Sequence, residues 1–193
     1  MISGYKCLRG ARFEQGEFEL LSIRPDDIEL IRQWRNEQMP VLRQSHLITP
    51  EQQRAYFEQS VWPLFSLDHP PQILFSYLRS KELIGYGGLV HVNWGDKRAE
   101  VSFLLRTSTV LDIPNYQSLF RTYLSLVQSV AFTCLGFNRL FTETFDIRPD
   151  HIAVLEQVGF RLEGRMRQHV CIDGQFVDSL IHGKLRHEHQ LDR

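Results

Sequence analysis

The segment VLEQVGFRLEGRMRQHVCIDGQFVDSLIHGKL, Val154 to Leu185, reads as a helix end, a strand, a tight turn and a second strand. Its helix begins just upstream. Pro149 opens DHIAVLEQV, because a proline at the first helical position gives up no hydrogen bond. Gly159 closes it, since glycine accepts the left-handed conformation at a helix end. Phe160 starts a strand, and Asp173-Gly174 carries the signature of a two-residue hairpin. The last strand runs from about Phe176 to Leu185.

Upstream, Leu119, Phe120, Tyr123, Leu124, Val127, Ala131 and Cys134 form one apolar stripe at helical spacing, which predicts a long helix over Gln117 to Leu135. Cys134 on that stripe is expected to be a buried small hydrophobe. Gly136 ends the helix and NRLFTETF, Asn138 to Phe145, follows as a strand. Before the helix, AEVSFLL (Ala99 to Leu105) is a strand that runs into RTSTVLDIPNYQSLF (Arg106 to Phe120), a stretch without glycine. QILFSYL (Gln72 to Leu78) and ELIGYGGLVHV (Glu82 to Val92) read as strands joined at Arg79-Ser80-Lys81. Glycines at 85, 87 and 88 inside the second suggest a bulge or a close backbone approach. Thr49-Pro50-Glu51-Gln52 is a capping box that starts a helix ending near Trp62-Pro63. Pro25 opens DDIELIRQWRN, with Ile28, Ile31 and Trp34 on one side, and FELLSIR (Phe18 to Arg24) is the strand before it.

The resulting order is β-α-α-β-β-β-α-β-α-β-β, an α/β (α+β) chain with a mixed sheet. Residues 1–17 are expected as an extension, 18–186 as a single domain and 187–193 as a polar, frayed tail. Lys and Arg number 22 against 23 Asp and Glu, so no basic excess points to nucleic acid. No apolar run reaches the ~18–20 residues that span a bilayer, and the first residues lack a signal core. A cytoplasmic location and no membrane partner are the expectation. Cys7, Cys134 and Cys171 are widely spaced and odd in number, which indicates neither a disulfide framework nor a zinc site. His182, His187 and His189 are split between a strand and the tail, so no metal is expected.

The order and the quoted segments together resemble the GCN5-related N-acetyltransferase (GNAT) superfamily over about residues 18–185. Val154–Leu185 looks like its fourth helix, strand, turn and closing strand. AEVSFLL looks like its central strand, and AFTCLGFNRLF and IRQWRN resemble its long-helix end and first helix. The branch most similar is that of ribosomal-protein N-terminal acetyltransferases and nucleotide-sugar amine acyltransferases. The resemblance implies a mostly antiparallel central sheet flanked by helices. It also implies acetyl-CoA, or another acyl-CoA, as cosubstrate. In the superfamily a Gln/Arg-x-x-Gly-x-Gly/Ala loop after the central strand binds the pyrophosphate. Here the usual glycines fall at Tyr116 and Ser118, and Asp112 adds a negative charge that Arg106 or Arg121 would offset. The implied cofactor residues are Phe103, Leu104, Leu105, Arg106, Asn115, Tyr116, Gln117, Ser118 and Arg148. Ser118, Asn115 or Asp112 is placed to cap the helix.

Acyl transfer to an amine needs a base, a polarised carbonyl and an acid for the leaving thiolate. Glu100 and His91 are candidate bases, with Glu143 or Thr144 as the cleft-facing residue of the following strand. The acid position of the superfamily reads Leu155 here, which leaves Tyr116 or Tyr123 for that role. The resemblance assigns the acceptor pocket to the first two helices and their loop: Trp34, Arg35, Asn36, Arg43, Ser45 and His46. Arg and Asn suit phosphate, hydroxyl or carboxylate groups. The expected function is an acyl-CoA-dependent N-acyltransferase. Its acceptor would be a small amine such as an amino sugar, or a protein N-terminus. The alternative is a binding or regulatory module of the same fold that has lost acetyl-CoA. An exposed C-terminal hairpin strand offers a surface for a homodimer.

Overall fold

A computed structural model describes residues 4–191 of the chain. Eight strands form one sheet in the order β1-β2-β3-β4-β5-β6-β8-β7. They are β1 (Phe13–Gln15), β2 (Phe18–Ser22), β3 (Ile73–Arg79), β4 (Glu82–Asn93), β5 (Arg98–Leu105), β6 (Arg139–Phe145), β7 (Arg161–Ile172) and β8 (Gln175–Leu185). Every neighbouring pair is antiparallel except β5 and β6, which run parallel. Helices α1 (Ile28–Glu37) and α2 (Pro50–Tyr56) cover one face. Helices α4 (Ile113–Gln128) and α5 (Pro149–Gln157) cover the other. A single turn, α3 (Thr107–Val110), precedes α4, and α6 (Arg186–Leu191) follows β8.

Local chemistry accounts for most boundaries. The Thr49 hydroxyl accepts from the Gln52 N–H at 3.2 Å and the Gln52 side chain accepts from the Thr49 N–H at 2.9 Å. That reciprocal cap is worth about 1 kcal/mol. Ser80 and Lys81 both have positive φ, as a two-residue turn between β3 and β4 requires. Asp173 and Gly174 do the same between β7 and β8. The buried Asp27 carboxylate accepts from Arg24 at 2.6 Å and from the Ser76 hydroxyl at 2.5 Å, which ties the start of α1 to β3.

The structure corrects several sequence expectations. Residues 1–17 are no free-standing extension: Tyr5, Leu8 and Phe13 lie in the main core, and β1 is an edge strand (residues 1–3 fall outside the described ones). The tail is helical over Arg186–Leu191, with only residues 192–193 outside the described part. The long helix starts at Ile113 rather than Gln117, and widens into a π turn at Ser129–Cys134. That widening rotates the stripe, and Cys134 is exposed. The element order therefore gains β1, α3 and α6 over the expected one. No helix among the described residues is long and apolar enough to cross a membrane.

The glycines of β4 mark close approach. A Cβ on Gly87 would lie 2.1 Å from the Ser102 carbonyl oxygen and 2.5 Å from the Tyr123 hydroxyl; at Gly88 it would meet the Ile73 carbonyl at 2.0 Å. Two backbones and a tyrosine on α4 meet there because no side chain intervenes. Gly87→Ala is expected to cost about 2–3 kcal/mol by overpacking. Gly164→Ala on β7, where nothing lies within 4 Å, is expected to stabilise by about 0.5 kcal/mol through the unfolded chain. Urea unfolding of the two variants checks the pair; equal stabilities would refute the close-packing account.

Candidate functional site

The parallel pairing of β5 with β6 covers only Arg98–Glu100 against Arg139–Phe141. Beyond it, Val101–Leu105 and Thr142–Phe145 have no strand between them. Each strand stays paired on its other side, β5 to β4 and β6 to β8. The sheet therefore opens into a gap. Alternation along β5 sends Ala99, Val101 and Leu105 into the α4 core and Glu100, Ser102 and Leu104 toward α1 and α2.

Three cavities meet at this gap. The central one, about 190 Å³, is lined by Glu100, Ser102, Phe103, Thr142, Glu143 and Thr144 among others. A mouth of about 200 Å³ near the start of α4 shares Val41, Arg148 and His151 with it. An inner chamber of about 480 Å³ under α1 and α2 shares Arg35, Val90 and Ser102 with it.

At the centre, Arg43 Nη2 bridges Glu100 at 2.6 Å and Glu143 at 2.9 Å. The other Glu100 oxygen lies 2.7 Å from His91 Nδ1. His91 sits in a bulge where β4 carries extra residues against β5, with φ of 48°. Glu100 is nearly enclosed, whereas the His91 side chain is 65% exposed. The structure thus brings together three of the expected catalytic residues: Arg43 links Glu100 to Glu143, and Glu100 bonds His91. Glu143 also accepts from the Ser179 hydroxyl at 2.8 Å. Thr142 and Thr144 turn their hydroxyls into buried positions without a protein partner.

Tyr116 belongs to a second cluster. Its hydroxyl lies 2.7 Å from His151 Nδ1 and accepts from Arg148 Nη2 at 3.0 Å. Burial raises the phenol's pKa, against the opposing pull of Arg148. Burial pushes His151 well below its ordinary value, and the nearby charges of Arg148 and His182 push the same way. A neutral imidazole can therefore accept a hydrogen bond from the Tyr116 hydroxyl, which keeps its proton. His151 escaped the sequence reading, although its spacing with Val154 and Leu155 places it on the inner face of α5. Leu155 and Tyr123 are fully buried.

The expected cofactor residues divide. Phe103 and Arg148 line the gap. Leu104 and Leu105 are core residues. Arg106 is held by Glu82 at 2.7 Å and Thr109 at 3.1 Å. Asn115, Tyr116, Gln117 and Ser118 are not in a loop but in the first turns of α4. Asp112 caps that helix: its carboxylate accepts from the Asn115 N–H at 3.3 Å and its carbonyl from the Tyr116 N–H at 2.8 Å. Pro114 has no N–H. Of the first-turn donors that hold a phosphate at a helix start, only that of Ile113 stays open among the described residues. Gln117 bonds Asp150, and Ser118 is exposed.

The expected acceptor residues also divide. Arg35 and His46 line the inner chamber. Asn36 instead braces the 42–49 loop, accepting from the Gln44 side chain and the Ile48 N–H at 2.9 Å each. Trp34 is a core anchor of α1, and Ser45 is exposed beside His46.

The buried imidazole sets a pH dependence. Unfolded, His151 titrates near 6.5; folded, it titrates well below that. Between the two values the unfolded chain holds more protons. The stability from neutral His151 is full above pH ~6.5 and falls as pH drops toward the folded value, at up to about 1.4 kcal/mol per pH unit. Urea midpoints between about pH 7.5 and about pH 5 should fall more steeply in the native chain than in His151→Gln. Parallel slopes would contradict it.

Comparison with known proteins agrees with this geometry. No curated protein sequence matches the chain. The spermidine N-acetyltransferase of Vibrio cholerae, in complex with CoA and spermine, shares the fold at TM-score 0.80 and 16% identity, covering 91% of this chain and 99% of that one. The dodecameric Vibrio cholerae enzyme in an intermediate state gives 0.73 at 17%, covering 89% and 95%. The family model described as acetyltransferase (GNAT) domain matches residues 20–181, and the chain belongs to that family of acetyl-CoA-dependent transferases.

Proposed function

We propose that this chain transfers an acetyl group from acetyl-CoA to the primary amine of a small molecule. The parted β5 and β6, with Glu100 facing the gap, carries this reading. The amide-bearing arm of the donor fits there, because the open strand edges offer unpaired N–H and C=O groups. Thr142 and Thr144 add two buried hydroxyls without protein partners. At the mouth, Arg148 lines the cavity and forms no ion pair among the described residues, so it is the cation for the phosphates. Bound there, acetyl-CoA would supply an activated acetyl group, whose bond to sulfur breaks as the bond to nitrogen forms, with coenzyme A as the thiolate leaving group.

The residues of the chain then divide the work. An amine is mostly protonated in water and must lose a proton to attack. Glu100 takes it, and His91, hydrogen-bonded behind it and exposed, passes it to solvent. N–H groups on the free edge of β5 polarise the carbonyl. Tyr116 keeps its proton at neutral pH because burial raises its pKa, and it is the acid for the thiolate. Arg148 and His151 hold its hydroxyl in place. An amino sugar or a protein N-terminus, the acceptors of the branch the sequence resembles, supplies such an amine. The free edge β7 is where a second copy would pair.

The second reading, a module without acetyl-CoA binding, has one observation in its favour: the α4 start already holds its own carboxylate. Calorimetric titration separates the two. Acetyl-CoA is expected to bind, and Asp112→Asn, which keeps an acceptor for the cap but drops the charge, is expected to tighten it several-fold. Glu100→Gln should lower kcat by about 100-fold or more and Tyr116→Phe by about 10–100-fold. His91→Ala should do less. Absence of any heat from both acetyl-CoA and longer acyl-CoAs would end the enzyme reading.

A further inference from the structure

We infer that the acceptor carries an anionic group, a carboxylate or a phosphate, and that Arg35 receives it inside the chamber under α1 and α2. The inference rests on the acyl-transfer reading only for the chamber's being the acceptor's place.

The chamber is lined by Ile31, Ile48, Phe57, Leu74 and Val90 and by neutral polar groups, with no aspartate or glutamate. Its permanent cation is Arg35. Nη1 of Arg35 donates to the Tyr86 hydroxyl at 2.6 Å and Nε to the Gln44 side chain at 3.2 Å. Both partners are neutral. The guanidinium forms no ion pair among the described residues, and Nη2 donates to none of them. A half-buried cation beside apolar walls is costly unless an anion compensates it. The unbonded Nη2 offers N–H donors of the kind that a carboxylate or phosphate accepts. Tyr86 and Gln44 pin it, so the binding edge is set before a ligand arrives.

Of the other two arginines that line the central cavity, Arg148 stands toward the mouth, where the phosphates of the donor are placed above, and Arg43 is spoken for. Arg43 is shared between Glu100 and Glu143. The two carboxylates of the site therefore stand at the gap, where the amine must react, and the uncompensated cation stands in the chamber behind it. Arg35 lines both spaces, so one ligand spans them. An acceptor with its amine toward Glu100 and its anion on Arg35 satisfies every charge. A polyamine does the opposite: it sends a second ammonium into a chamber that has an arginine and no carboxylate. The spermidine-acetylating enzymes share the fold at 16–17% identity, which shows the fold and not the acceptor.

The test uses the full chain and three probes of matched length: an ω-amino acid, the aminoalkyl phosphate and the diamine. Calorimetry reads their binding directly, with and without acetyl-CoA, and so does not depend on turnover. The ω-amino acid or the phosphate is expected to bind at least 10-fold tighter than the diamine; the tighter of the two names the group. Arg35→Gln should cost that ligand at least 10-fold and leave the diamine within 2-fold, while Arg35→Lys should restore part of the loss. In turnover, the effect should appear in KM more than in kcat. A diamine that binds as well as or better than both anionic probes overturns the inference, as does unchanged anion binding in a folded Arg35→Gln. Acetylation of diamines alone would leave the transferase reading standing while removing this one. Anion binding at Arg35 without any acetyl-CoA binding would do the reverse.

Discussion

Everything at the site depends on how briefly β5 and β6 pair. Three residues on each strand meet, and then the sheet parts. Each strand is held on its other side by a long antiparallel ladder, so neither is free to swing back and close the gap. Beneath it, the Phe103 ring stacks on Phe120 at 4.4 Å and Phe120 on His151 at 4.1 Å, which props α4 and α5 under the opening. Backbone groups left unpaired inside a protein are costly, and natural folds rarely leave them so. An open pair of strand edges lined by two orphaned threonine hydroxyls is therefore a place built for an extended ligand with amides of its own.

The charges follow from the same opening. Because β5 and β6 present Glu100 and Glu143 to one face, two carboxylates come within reach of a single guanidinium. Like charges repel at short range, and Arg43, paired with both, offsets that repulsion. Arg43 sits on the loop between α1 and α2, which Asn36 shapes through its three bonds to Gln44 and Ile48. The loop between α1 and α2 and the carboxylates of Glu100 and Glu143 are thus one electrostatic unit. His91 joins it from outside by way of a bulge, which turns a strand residue that would otherwise alternate in or out toward Glu100.

Local signals carried much of the fold. The capping box at Thr49, the Asp173-Gly174 turn, the glycine-marked approach of β4 and the order of the main elements were legible because each rests on a few adjacent residues. Glu100, His91 and Glu143 stand out singly in the sequence, but their meeting depends on the sheet order and on Arg43. Features that depend on distant partners were not legible. Tyr5 and Phe13 look unremarkable in sequence and are buried by distant partners: Tyr5 packs on Phe65 and accepts from the Leu74 N–H, and Phe13 packs on Phe75 from the edge strand. Cys134 follows the stripe of α4 until the π turn shifts the phase. Trp34 and Asn36 were read as acceptor ligands, but the first fills the core and the second builds the loop. His151 matters through Tyr116, thirty-five positions earlier in the chain.

The glycine-free stretch between β5 and α4 has a physical answer. Without glycine the chain makes one turn of helix at Thr107–Val110 and then starts α4 early, at Ile113. Starting early consumes the N–H groups that a glycine-rich loop leaves open, and Asp112 takes those of Asn115 and Tyr116, which leaves only that of Ile113 open among the described residues. The helix gains a cap worth about 1 kcal/mol. It gives up a phosphate seat made of backbone, and the cation that lines the mouth is a side chain, Arg148. At the other end Arg35 lines the chamber. In the function proposed above, both ends of this gap would choose their ligands by arginines held through neutral partners, Tyr116 at one and Tyr86 at the other. A tyrosine hydroxyl can orient a guanidinium without neutralising it, and that leaves the full charge for the ligand.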